Sequence, residues 1–228
     1  PPPDGVPTEP LPPAKQAGFW GDPACTEPPA PDEIAPHGIT SGHGETPDTA
    51  RIAVVSHQPR EAIELFELSG QGSGAILRWR GCVPLPENAA ANDVAIAPNG
   101  DIVVGNYMPT FSGIWPLFYM VAGGLGMNTG DVILWGPARG WRHVPGTGAR
   151  SANGIAVSPD GSRIYYAETG AKRISMVPRE GAADGKGLVQ APVAGSPDNF
   201  SWSSKGRLLT AIHMDSLGFL RCAFGKLP

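Results

Sequence analysis

The sequence predicts an all-β fold made of repeated antiparallel strand units, on three observations. First, an amide or carboxylate residue opens an apolar strand, which reverses at a glycine and continues as a second strand. The turn glycine lies eight residues after the opening residue in three copies: Asn92 to Gly100, Asn153 to Gly161 and Asp198 to Gly206. Second, 31 Gly and 26 Pro among 228 residues punctuate short strands. Third, few segments show helical periodicity.

The spacing of these units predicts a β-propeller. A further unit opens at His37, 55 residues before Asn92, and the next two intervals are 61 and 45 residues. Repeated four-stranded antiparallel units of about 40 to 50 residues are typical of propeller blades. The opening residues would lie on the innermost strands and converge on the central axis.

The other elements follow in chain order. Residues 1–36 are rich in proline and lack periodicity, so they predict a loop or linker from an adjoining blade, whereas residues 37–228 predict a single domain of blades. The strands predicted outside the repeated unit are 51–57, 61–68, 75–80, 131–135, 141–144, 172–177 and 187–190.

One stretch, from Ile102 to Gly130, contains no charged residue. Its prolines and its Gly123–Gly124 pair interrupt the run of about 20 apolar residues that a transmembrane helix needs. Two interpretations remain. The stretch is either a buried strand or core helix, or an apolar lid or wall over a substrate pocket, with peripheral lipid contact through residues 111–122.

Charge and cysteine usage exclude several classes of function. The net charge of −4 and the absence of a Lys/Arg stripe argue against a nucleic-acid partner. No CxxC, GxSxG or phosphate-binding glycine loop occurs. Cys25 and Cys82 lie in connections that lead into equivalent units, so we expect a disulfide between them and a secreted or periplasmic protein. The alternative is that these two and Cys222 are unrelated thiols.

The repeat brings oxygen donors together at its centre. These residues are Asn92, Asp93, Asn153, Asp198 and Asn199. Such a set suits Ca²⁺, which takes six to eight oxygen ligands, and does not suit Zn²⁺. A single Asn at a strand start more often bonds its own backbone, but three equivalent positions favour a shared site.

Three histidines are predicted to lie at the same end of the blades as these oxygen donors. His37 opens the first unit, and His57 and His213 each end a strand that returns to the same end of a blade. A histidine beside a cation-bound substrate can act as general base toward water, and a second histidine can orient it. Each alone is more often a structural residue.

Several segments resemble the paraoxonase/arylesterase family over roughly residues 34–214. They are PHGIT, AVVSH and IELFEL, then AAANDVAI, SANGIAVSPDGSRIYYAE with KRI after it, and SPDNFSW followed by AIH. The ANGIAVSPDG segment is shared with the related strictosidine-synthase-like and SMP-30/gluconolactonase propellers, whereas PHGI with VVSH and IELFEL is more specific.

The resemblance implies a six-bladed β-propeller with two calcium ions in its central tunnel. The ligands implied for the catalytic ion are Asn92, Asn153, Asp198 and Asn199. Asp93 and the backbone carbonyl of Ile39 would serve the structural ion. His37 and His57 would activate water, and His213 would line the pocket. The side chains that we expect to contact substrate, besides His213, are Tyr107, Trp115, Phe118, Phe200 and Trp202.

The sequence departs from the family in two respects. The family's calcium ions also take an adjacent Glu and Asp from an upstream inner strand, and residues 1–36 contain no such strand. Only about four blades can be counted, so we expect either a propeller truncated at both ends or an unusual incomplete propeller, whose ring could not close without a partner. Such an open ring would expose edge strands.

These features lead us to expect a calcium-dependent hydrolase that acts on small carboxylic esters, including aryl esters, or on lactones. A phosphotriester substrate is not distinguished from these. The first alternative is a strictosidine-synthase-like propeller with metal-free chemistry, for which Glu168 is the candidate acid or base. The second is a non-catalytic scaffold that calcium only stabilises.

Overall fold

The computed structural model describes residues 18–109 and 112–213. Cys222 and half of the predicted linker therefore lie outside the described residues. Within these described residues, fourteen strands form three four-stranded antiparallel sheets and one two-stranded sheet. The first sheet contains β1 (Pro36–His43), β2 (Thr49–Ser56), β3 (Ala62–Ser69) and β4 (Ile76–Pro84). Within it, each strand pairs with the next one along the chain.

The other sheets repeat this meander. The second contains β5 (Ala90–Ile96), β6 (Ile102–Met108), β7 (Asp131–Gly136) and β8 (Gly140–His143). The third contains β9 (Ala152–Val157), β10 (Arg163–Glu168), β11 (Arg173–Pro178) and β12 (Val189–Pro192). The fourth pairs β13 (Ser196–Trp202) with β14 (Leu208–His213). This architecture confirms the predicted all-β fold of four-stranded propeller blades.

The first strands of successive sheets pack side by side, β1 against β5, β5 against β9 and β9 against β13. They are therefore the inner strands of four neighbouring blades. Apolar cores fill the space between blades, because alternate residues of a strand face opposite sides of its sheet. Val104 and Ile133 pack toward the first blade, whereas Val103 and Leu134 pack toward the third.

Local chemistry explains the turns and the link to the N-terminal segment. Gly100, Gly161 and Gly206 have φ of 88°, 73° and 67°, which glycine adopts without steric cost. A disulfide joins Cys25 to Cys82, whose Cα atoms are 5.6 Å apart. The predicted pairing is thus confirmed, and it ties the segment before β1 to the outer strand β4.

The charge-free stretch begins with the buried strand β6 and continues, in the connection to β7, with a helix, α1 (Trp115–Gly124). Leu117, Phe118 and Val121 are 63%, 53% and 54% exposed. The interpretation as a buried strand holds for β6, whereas most of the large apolar side chains of α1 are exposed and do not form a core helix. Residues 110 and 111, in the same stretch, lie outside the described residues. Within the described part of the chain, no helix combines the length and apolarity needed to cross a membrane.

Candidate active site at the start of the inner strands

The topology brings the candidate residues to one face of the molecule. In an antiparallel meander, the start of the first strand, the end of the second and the start of the third share one edge of the blade. We call the face where β1, β5, β9 and β13 begin the site face. It carries His37, Asn92, Asn153 and Asp198 at the strand starts. His57, His213 and α1 lie on the same face, because β2, β14 and β6 end there.

A β-bulge interrupts every inner strand at the same point. In each blade, two residues of the inner strand face one residue of its partner, which bends the strand and re-aims its side chains. The bulged pairs are His37–Gly38, Asn92–Asp93, Asn153–Gly154 and Asp198–Asn199. The first member of each pair is a histidine, amide or carboxylate. The structure thus makes His37, Asn92, Asn153 and Asp198 positional equivalents.

Backbone packing brings the bulges close together. An ideal Cβ on Gly38 would lie 2.5 Å from the carbonyl oxygen of Asn92. On Gly154 it would lie 2.2 Å from the carbonyl oxygen of Asp198. Only glycine permits this approach, so the bulge glycines set the distance between neighbouring inner strands.

Amide oxygens at this face lack hydrogen-bond partners. Asn92 and Asn153 are 7% and 4% exposed. Among the described residues, the buried Oδ1 atoms of Asn92, Asn153 and Asn199 accept no hydrogen bond. A buried polar atom left unsatisfied costs about 1–3 kcal/mol. A cation bound by these oxygens would offset that cost.

The two acidic residues of the inner strands are held differently. The Asp198 carboxylate is partly exposed, and its Oδ2 lies 3.0 Å from Nε2 of His213. Asp93 is 2% exposed, and its Oδ2 accepts the backbone N–H of Ile155 at 2.9 Å. Burial raises the pKa of Asp93 to about 6, although backbone N–H groups of Ile155, Val94 and Phe200 oppose the rise. Asp93 therefore links β5 to both following inner strands.

The predicted histidine pair is formed. Nδ1 of His37 lies 3.0 Å from Nε2 of His57, and Nδ1 of His57 lies 2.8 Å from Oε2 of Glu61. His37 is partly exposed, but partial desolvation by the surrounding protein and the neighbouring His57 lower its pKa, while Asp198 and Glu61 oppose this. A lowered pKa keeps the imidazole neutral near pH 7, as a general base requires. Sequence reasoning missed Glu61, which it assigned to a strand.

The predicted aromatic residues divide into two groups. Phe200 and Trp202 lie on β13, beyond Asp198, and line a cavity of about 310 Å³ together with Ile39. Trp115 and Phe118 lie on α1, with ring centroids 5.7 Å apart. Tyr107 is partly buried near the end of β6, on the site face. The structure therefore separates a pair on the cavity wall from a pair on the exposed helix.

Glu168, the candidate for metal-free chemistry, is fully buried and ion-paired. Its two carboxylate oxygens accept bonds from Arg173 at 2.7 and 2.8 Å, and Oε1 also accepts from Ser175. Both oxygens of this buried carboxylate are engaged by protein donors, so it presents no open oxygen to a substrate. This observation disfavours the strictosidine-synthase-like alternative.

Comparison with known proteins gives a family match. Residues 77–221, well over half of the chain, match the profile of the SMP-30/Gluconolactonase/LRE-like region. No curated protein matches the chain significantly.

Solved structures give weaker similarities. A calcium-binding protein, regucalcin from Agrobacterium tumefaciens, is 15% identical with a TM-score of 0.47, over 79% of this chain and 68% of its own. A virginiamycin B lyase from Staphylococcus aureus is 14% identical with a TM-score of 0.46, over 79% and 50%. A luciferin-regenerating enzyme is 20% identical with a TM-score of 0.44, over 78% and 55%. The chain thus spans about half the length of that lyase, and the family assignment rests on the profile alone.

Proposed function

The chain belongs to the SMP-30/gluconolactonase/LRE-like family, and we propose that its site face hydrolyses lactones and small carboxylic esters. The observation that carries this proposal is the set of four equivalent bulges. They place His37, a histidine with a lowered pKa, at the position in its blade that Asn92 and Asn153, with their buried amide oxygens, occupy in the next two blades. A general base beside a cluster of hard oxygen donors is the arrangement that metal-assisted hydrolysis requires.

The donor set fits calcium. The unpartnered oxygens of Asn92, Asn153 and Asn199 are neutral hard donors, and Asp198 adds a carboxylate. The described residues contain no group of three or more His, Cys, Asp and Glu side chains that could hold a metal. The proposed calcium site therefore depends mainly on the amide oxygens of the three asparagines. When bound, calcium would polarise the substrate carbonyl and stabilise negative charge on its oxygen.

The second, structural ion that the family resemblance implies is not part of this proposal. Asp93 already accepts backbone N–H groups from neighbouring inner strands. We assign that carboxylate to holding β5, β9 and β13 together.

In the proposed reaction, His37 accepts and then donates the proton, and His57 orients His37. His37 takes a proton from water at Nε2, and the resulting hydroxide attacks the carbonyl carbon while the C=O electron pair moves to oxygen. When that pair returns, the ring C–O bond breaks, and His37 gives its proton to the departing alkoxide. The product of a lactone is then the open hydroxy acid. His57 holds the imidazole of His37 through the 3.0 Å contact.

We propose aryl and acyl esters as the finer substrate class, and the resemblance to the paraoxonase/arylesterase family and the apolar side chains of α1 support this choice. Trp115 and Phe118 on α1 stand on the site face, where they would favour aryl or acyl groups over sugar acids. The exposed apolar side chains of α1 also suit contact with a lipid surface, since the stretch around them is free of charge. Uncharged apolar and aromatic residues suit a zwitterionic lipid surface better than an anionic one.

A pair of histidine variants tests the proposed activity. His37→Gln should reduce kcat for hydrolysis of γ-lactones and phenyl acetate by about 10²-fold or more, the usual contribution of a general base. His43→Gln is the matched control, because His43 ends the same strand, β1, away from the site face. Equal rates in the two variants would contradict the role of His37. A wild-type protein that binds calcium without hydrolysing any ester would support the scaffold alternative.

A further inference from the structure

The turn between β2 and β3 places a carboxylate against the histidine pair. Oε2 of Glu61 lies 2.8 Å from Nδ1 of His57, and Nε2 of His57 lies 3.0 Å from Nδ1 of His37. Glu61, His57 and His37 therefore form a continuous chain of contacts along the site face, from the turn to the inner strand β1. Neither the family match nor the resemblance assigns a role to Glu61.

The turn holds Glu61 in this position through the backbone. The backbone N–H of Leu85 donates to the carbonyl oxygen of Glu61 at 2.9 Å, and the N–H of His57 donates to Ala35 at 3.0 Å. The neighbouring cation, Arg60, is directed elsewhere. Its guanidinium contacts Glu64 at 3.0 Å and the carbonyl of Glu27 at 2.8 Å. The carboxylate next to it is thus available to His57.

An ionised carboxylate can only accept hydrogen bonds, so the proton in the Glu61–His57 contact belongs to Nδ1 of His57. In a neutral imidazole the other nitrogen, Nε2, is then an acceptor. It must receive the proton on Nδ1 of His37. This leaves Nε2 of His37 as the unprotonated, basic nitrogen.

The opposite arrangement would disable the base. If His57 carried its proton on Nε2, it would donate to Nδ1 of His37. The proton of a neutral His37 would then sit on Nε2, and that nitrogen could not accept a proton from water. One carboxylate therefore sets the direction of both hydrogen bonds.

We propose that Glu61 is a positioning residue that fixes the tautomer of His57 and thereby keeps Nε2 of His37 as the proton acceptor. The consequence for catalysis rests on the proposed hydrolase function, whereas the tautomer assignment stands on its own. Glu61 touches neither substrate nor ion and acts only through the two imidazoles. Its side chain is 35% exposed, and an ion pair so exposed contributes at most about 1 kcal/mol to stability. Glu61 variants should therefore fold.

The experiment uses the purified protein with three variants. Glu61→Gln keeps the shape but removes the charge, Glu61→Asp keeps the charge on a shorter chain, and Glu87→Gln is an exposed control. The first readout is ¹⁵N NMR of the imidazoles. Wild type and Glu87→Gln should show His57 protonated at Nδ1, and Glu61→Gln should show a mixture of tautomers. A wild-type His57 protonated at Nε2 would overturn the proposal.

The second readout is the rate of lactone hydrolysis. Glu61→Gln should reduce kcat about tenfold or more while KM and calcium affinity stay constant, since only the base is affected. Glu61→Asp should restore part of the loss. An unchanged kcat in Glu61→Gln would overturn the positioning role. If the wild type hydrolyses no lactone, the proposed function fails, and the NMR result still decides the tautomer assignment.

Discussion

The close approach between the third and fourth blades at Gly154 gives a prediction that concerns both the packing of the blades and the candidate site. In Gly154→Ala, the new Cβ would lie 2.2 Å from the carbonyl oxygen of Asp198 and 2.9 Å from Cα of Asn199. Both neighbours are backbone atoms, so no side-chain rotation relieves the clash. A normal contact needs about 1 Å more, so β13 must move away from β9 by roughly that distance. Overpacking of this kind costs about 1–3 kcal/mol.

The displacement should also damage ion binding, because Asp198 and Asn199 would move with β13. Metal–ligand distances tolerate only about 0.2 Å, and a 1 Å misplacement of a reacting group can cost about 10²-fold in rate. Thermal melts, calcium titration and lactone turnover should all show the loss. Gly74→Ala is the control, since nothing lies within 4 Å of its added Cβ. A Gly154→Ala protein with wild-type stability and calcium affinity would refute the close packing of these strands.

Two further predictions concern Asp93 and helix α1. In calcium-free protein, the raised pKa of Asp93 stabilises the fold fully below pH 3.8, and this contribution is lost as pH rises through about 6. In wild type, lowering the pH from 7 to 5 should therefore increase the free energy of unfolding by about 1 kcal/mol through Asp93, and Asp93→Asn should remove this increase. Thermal melts at pH 7 and pH 5 measure it. A stability difference between the two pH values that is the same in Asp93→Asn as in wild type would contradict this prediction. Phe118→Ser should weaken binding to phosphatidylcholine vesicles about tenfold, whereas Val189→Ser, equally exposed on β12, should not. Wild type that fails to sediment with vesicles would exclude the lipid contact.

The blades could be predicted from sequence because their signals are local. In each of the three copies the glycine eight residues after the opening Asn or Asp lies in a turn, and Gly100, Gly161 and Gly206 have the positive φ that this position demands. The equivalence of Asn92, Asn153 and Asp198 followed from the same register. The bulges that re-aim them could not be predicted, since a bulge depends on pairing with a second strand.

The remaining differences have similar causes. Glu61 was assigned to a strand, but the chain turns there, and its contact with His57 depends on the shape of that turn. Glu168 was a plausible acid or base until the pairing of β10 with β11 placed Arg173 against it. The apolar composition of α1 was compatible both with a buried helix and with an exposed one, because composition does not show what packs against a helix.

The proposed function depends most on whether calcium controls hydrolysis at the site face. The direct measurement is the rate of lactone hydrolysis by the purified protein as calcium is added back after complete chelation, with binding followed in parallel. We predict no hydrolysis without calcium and a rate that rises in proportion to occupancy. Hydrolysis that survives complete removal of calcium would contradict the account built on Asn92, Asn153 and His37.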